Sequence, residues 1–76
     1  MNNDRRKRLN AAKEKLLALI DYIEEIRIDE EEAFENMPES LQESERGEKM
    51  QDAVIDIQQL CDDLSAVIDD IETIVE

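Results

Sequence analysis

The 76-residue chain contains no histidine and a single cysteine, Cys61. That removes the usual general base, the usual zinc ligand and any Cys–His nucleophilic pair. Gly47 is the only glycine, so no glycine-rich loop is present to cradle a phosphate. What remains is carboxylate chemistry, with 22 acids against nine bases and a net charge of −13. The acids are regularly spaced. Asp56, Asp63 and Asp70 recur every seven residues, and so do Asp62, Asp69 and Glu76. On a helix rising 1.5 Å per residue, each row sets a carboxylate about every 10 Å along one side. The first half adds Asp21, Glu24, Glu25, Asp29, Glu31 and Glu32. Rows of this kind keep a helical bundle soluble. They can also imitate a phosphate backbone and occupy a basic groove on another protein. The same sign of charge argues against direct binding to nucleic acid or to an anionic membrane surface.

One short run has the form of a metal site. Glu31-Glu32-Ala33-Phe34-Glu35 resembles the Glu-Glu-x-x-Glu half of the site in all-α nucleoside-triphosphate pyrophosphohydrolases of the MazG type. That resemblance implies magnesium held by Glu31, Glu32 and Glu35. The family also uses a Glu-x-x-Asp from a facing helix, which this chain lacks. Glu48 and Asp52 are four apart, and Glu45-Arg46-Gly47-Glu48 ends in glutamate. The chain also has two long helical segments where the family has more helices. A solvated acidic face is the plainer account, and no cofactor, metal or catalytic residue is expected.

The elements that carry these residues follow from periodicity. Composition is 41% hydrophobic and 41% charged, with two aromatics and one Pro. A β-rich fold would need turn residues every ~8–12 positions. Leu9, Ala12, Leu16, Leu19, Ile23, Ile26, Glu30, Ala33 and Met37 alternate spacings of three and four, a heptad seam that predicts a first helix over about 4–36. Met50, Val54, Ile57, Cys61, Leu64, Ile68, Ile71 and Val75 do the same over about 45–75, with Cys61 as a buried packing residue. A second row, Ala53, Leu60, Val67 and Ile74, repeats beside it. Three apolar positions per heptad make a stripe wider than a two-stranded coiled coil covers. The expectation is an all-α antiparallel two-helix hairpin, a single coiled-coil-like domain, that pairs into a dimeric four-helix bundle.

The hinge, residues 37–44, follows from Pro38, which ends the first helix and opens a short turn through Leu41. Leu41 is expected to close the end of the core. Ser40-Leu41-Gln42-Glu43 fits a capping box, and Ser44 is a second candidate N-cap. Gly47 either takes a positive φ or is tolerated in the first turn of the second helix. Charge is uneven: residues 1–15 carry six bases against two acids. The hairpin would return that cluster beside Asp62, Asp63, Asp69, Asp70, Glu72 and Glu76 and pair it there. Residues 28–48 hold nine acids and one base, Arg46. Arg46 is either a counter-ion to Glu35 or Glu30, or a contact that a partner reads. No run approaches ~18 apolar residues, so no membrane span is expected. The N-terminus lacks the apolar region of a secretory signal, and the lone cysteine fits a reducing cytoplasm.

Asn36-Met37-Pro38-Glu39-Ser40-Leu41-Gln42-Glu43-Ser44-Glu45-Arg46-Gly47, followed by Ala53-Val54-Ile55-Asp56 and Ala66-Val67-Ile68-Asp69, resembles small acidic proteins of bacteriophages and mobile elements. Those share an Asn-x-Pro-Glu-x-Leu-Gln-x-Ser-Glu-x-Gly turn and repeated Ala-Ile-Asp units. The resemblance implies a phage-type source and the cytoplasm of a bacterial host. By analogy it implies inhibition of a host defence protein, such as a CRISPR nuclease or restriction enzyme. The expected partner is the basic surface of a nucleic-acid-binding host protein. The expected contact residues are Glu31, Glu32, Asp56, Asp62, Asp63, Asp69 and Asp70, with Arg46. The alternative is an assembly accessory that docks through its apolar stripe or hinge.

Overall fold

The structure is a computed structural model that describes all 76 residues. Helix α1 spans Asn3–Glu35, a one-turn helix α2 spans Glu39–Gln42, and α3 spans Glu45–Val75. Asn2 starts α1, its side-chain oxygen accepting from the Arg5 backbone N–H at 2.9 Å. Lys13 meets Glu72 at 3.8 Å, while Phe34 and Gln51 line one groove near the hinge. The two long helices therefore run antiparallel, and facing residue numbers sum to about 85. The result is a rod of 59 × 15 × 12 Å. Its radius of gyration is 17.4 Å, against about 11 Å for a compact chain of this length.

The seam of α3 lies where its heptads place it. Cys61, Ile68 and Ile71 are buried, and Met50, Val54, Ile57, Leu64 and Val75 are half-buried. On α1 only one of the two expected rows faces α3. Leu9, Leu16, Ile23, Glu30 and Met37 are half-buried, but of the second row only Ala12 is half-buried, and Leu19, Ile26 and Ala33 are exposed. Their place is taken by Lys13, Ile20, Arg27 and Phe34, all half-buried. Lys and Arg serve there because their aliphatic stems lie along the seam while their heads reach out to carboxylates. Only three apolar side chains are buried in the whole hairpin, and none completely.

The hinge is tied by backbone groups rather than by a core. Pro38 sits extended at φ −56°, ψ 144°, and its carbonyl accepts from the N–H groups of Leu41 and Gln42 at 2.9 and 3.0 Å. The Gln42 amide nitrogen then reaches back to the carbonyls of Phe34 at 3.0 Å and Met37 at 3.2 Å. It thereby satisfies acceptors that the end of α1 leaves open. Ser44 is the N-cap of α3, its hydroxyl oxygen accepting from the Gly47 N–H at 3.4 Å. Ser40 lies inside α2 and caps nothing, so the expected box there does not form. Leu41 is exposed and does not close the core.

Gly47 is buried and has no positive φ. Of the two sequence-based accounts the positive φ does not hold, whereas the place in the first turn of α3 does, and what the glycine supplies there is room. A Cβ there would lie 2.1 Å from the Gln42 carbonyl oxygen and 2.7 Å from that of Leu41. Gly→Ala inside a helix ordinarily stabilises by about 0.8–1 kcal/mol. Here the backbone of α2 must move instead. Gly47→Ala is expected to lower stability by about 1–3 kcal/mol in urea unfolding followed by circular dichroism. A stabilised variant would show that the hinge does not hold this close approach.

Candidate functional site

Because facing residues are known, the hairpin divides into two flanks. One flank is the more polar. Arg27, Glu31, Gln58, Gln59 and Asp62 line a shallow groove on it with Val54 and Ile55, and Glu31, Glu35 and Gln51 line the next groove toward the hinge with Phe34, Val54 and Ile55. The other flank must then carry the α1 row Ala12, Leu19, Ile26 and Ala33 beside the α3 row Ala53, Leu60, Val67 and Ile74. Its five large side chains are 44–55% exposed. Together they form a continuous apolar strip, with Tyr22 beside it and more exposed still. Arg5 and Arg46 extend the same two heptad rows at the open and hinge ends.

At the middle of the seam sits one polar layer. The Arg27 side chain is 21% exposed and pairs with Glu24 at 3.1 Å and Glu31 at 2.8 Å. The hydrogen bond that Arg27 donates to Glu24 is the main cause holding its pKa above the usual value, opposed by loss of water. Cys61, 3% exposed, lies against the same Glu24. Burial pushes its thiol pKa up, and the Glu24 and Asp62 charges push it further, with Arg27 opposing. Both ion pairs lie within α1, so they orient Arg27 along its own helix, and only Cys61 meets the layer from α3. The pairing leaves Glu31 occupied.

The expected contact residues do not form one cluster. Asp56, Asp63 and Asp70 are exposed along the shoulder of α3 that borders the apolar strip, and Asp62 and Asp69 along the shoulder that borders the polar flank. None of these five carboxylates joins an ion pair. Asp62 and Asp63 accept only from the amides of Gln58 and Gln59, at 3.3 and 2.9 Å. Glu32 is exposed, while Glu31 turns to Arg27. Glu31, Glu32 and Glu35 are not gathered around a point that would hold a cation.

Arg46 is exposed and forms no ion pair, so it is not the counter-ion of Glu35 or Glu30. The N-terminal bases also stay largely unpaired. Lys13–Glu72 is the one bridge between the helices, and Arg8 pairs locally with Asp4 at 4.0 Å. The α3 acids beyond Glu72 are too far round the helix to be reached. The apolar strip is what sequence reasoning missed on α1. The alternation of Leu19 and Ile26 with Lys13 and Arg27 on the neighbouring row was the available signal.

A raised thiol pKa has a signed consequence. The folded state resists ionisation of Cys61 more than the unfolded state does, so this contribution is intact below about pH 8.5 and lost as pH rises further. Thermal midpoints measured from pH 7 to pH 10 for the natural chain and for Cys61→Ala are expected to converge as pH rises. A gap between the two that widens above pH 9 would contradict the burial of the thiol.

No protein-family model matches the chain, and neither a curated protein nor a solved structure matches it, so the two flanks of the hairpin carry the functional reading.

Proposed function

We propose that the protein is an acidic binding protein that occupies the basic, nucleic-acid-binding surface of another protein. The observation that carries this is the set of unpaired carboxylates at Asp56, Asp62, Asp63, Asp69 and Asp70 on a rigid helix. Fixed carboxylates in rows meet a basic groove without the ordering cost that a disordered acidic tail would carry. The resemblance of the hinge to phage-type proteins supports a host defence nuclease or similar protein as the target, met in the bacterial cytoplasm.

Charge density favours action as a pair of hairpins, the four-helix bundle that the apolar stripe calls for. One hairpin spreads 13 net charges over 59 Å, or one per about 4.5 Å. Two side by side give one per about 2.3 Å, approaching the ~1.7 Å of duplex DNA. A single hairpin falls well short of that.

The test uses immobilised protein and bacterial extract. Bound proteins should be released between ~50 and ~200 mM salt and by duplex DNA, and Asp56, Asp63 and Asp70 changed together to Asn should capture at least tenfold less. Capture indifferent to salt, DNA and those three substitutions overturns the mimic. If such capture is instead lost on changing Leu41 or Arg46, the chain is an assembly accessory docking through its hinge.

A further inference from the structure

The apolar strip is the largest feature that the hairpin leaves without a partner. The molecule exposes 5682 Å², against about 4,800 Å² expected for a folded chain of this mass. The excess, about 900 Å², is close to the ~800 Å² that each partner buries in a standard interface. We infer that a second copy of this chain covers the strip with its own, and that the two hinges lie at opposite ends of the bundle. In that arrangement α1 lies on α1 of the other copy, and α3 on α3. The inference rests on the pairing proposed above and assigns its surface and direction.

Charge sets the direction. Residues 28–36 and the facing 50–58 hold seven acids and no base, while residues 1–9 hold four bases and one acid. Hinges at the same end would stack the seven acids on their own copies. Hinges at opposite ends lay them over residues 10–18 and 68–76, where Lys13 and Lys15 offset part of the acid. The same choice sets the basic N-terminus beside the acidic hinge of the other copy, and Lys15 across from Asp29.

Side-chain volume points the same way. The strip runs from an Ala12–Ile74 layer through Leu19–Val67 and Ile26–Leu60 to an Ala33–Ala53 layer. With hinges opposed, each end layer holds one isoleucine and three alanines, and the middle layers are evenly filled. With hinges together, one layer would be four alanines and another would hold two isoleucines. Even layers pack to native density with fewer voids.

The arrangement also changes the acidic surface. Where α3 lies on α3, Asp56, Asp63 and Asp70 of both copies merge into one ridge of six carboxylates. Their mutual repulsion costs association energy, and the ridge is the continuous acidic face that a basic groove requires. Tyr22 falls at the midpoint, against its counterpart.

Light scattering at micromolar concentration and spin-label distances test this together. Ser40→Cys in a Cys61→Ala background puts one label on each hinge. A dimer with labels about 45 Å apart is expected, since each hinge lies roughly 15 residues from the midpoint at 1.5 Å per residue. A dimer with labels under ~25 Å apart overturns the direction and leaves the pairing standing. A monomeric mass overturns both. In the natural Cys61 background, Leu60→Glu with Val67→Glu should weaken self-association at least tenfold while helix content is kept, because both side chains face solvent in the single hairpin. Unchanged dimerisation of that variant overturns the strip as the surface, whichever other face or protein is then the partner.

Discussion

A hairpin of two helices has one line of contact, and each helix here carries more apolar surface than one line covers. Everything else in the structure answers to that mismatch. Only Cys61, Ile68 and Ile71 are buried among the apolar side chains, so the interior offers little of the burial that offsets the entropy of ordering 76 residues. Five of the eleven exposed large apolar side chains, Leu19, Ile26, Leu60, Val67 and Ile74, gather on one flank. The polar side chains of the seam, Lys13, Arg27 and Glu30, are turned the other way or held in the middle. Ile55 lies on that more polar flank, so the division into a wet and a dry side is partial.

The hinge keeps that division in register. An antiparallel pair can slide by a heptad without losing hydrophobic contact, so the turn has to fix the start. Gln42 does so by bonding back to the end of α1, and Gly47 by letting the backbone of α2 lie against the first turn of α3. Farther along, Cys61 lies against Glu24 and Lys13 pairs with Glu72 across the seam. A slip of seven residues would separate both. From Gly47 to Cys61 is 14 residues of α3, about 21 Å by helical rise, so the hinge and these contacts together leave one register.

Much of this was legible in the residues. The α3 seam was readable in full because every position in it is apolar. The α1 seam was readable only by half. Counting apolar residues chooses the row of Leu19 and Ile26, and the fold chooses the row of Ile20 and Phe34. A heptad count scores each helix alone, whereas register decides which of two flanking rows meets the partner helix. Lys13 and Arg27 look wrong for a seam until their heads find Glu72, Glu24 and Glu31 across or along it. Gly47 was undecidable from sequence, since its constraint is a contact with a backbone five residues away. The acidic rows were placed correctly on the outward shoulders of α3, but periodicity alone did not say that they border opposite flanks.

That last detail couples the two associations proposed for the protein. One row of aspartates borders the strip that a second copy would cover, and a hairpin of charge −13 repels its own copy at every distance. Salt screens that repulsion over a Debye length of about 8–10 Å, so added salt strengthens self-association, which apolar burial drives. The attraction between the carboxylates and a basic partner is weakened by the same screening. The two steps therefore respond to ionic strength with opposite signs. A basic partner would resolve the conflict at low salt, because its cations would neutralise the ridge where the two copies repel most. Binding of the proposed partner and the proposed pairing of hairpins would then reinforce each other, and by linkage each would strengthen the other by the same factor.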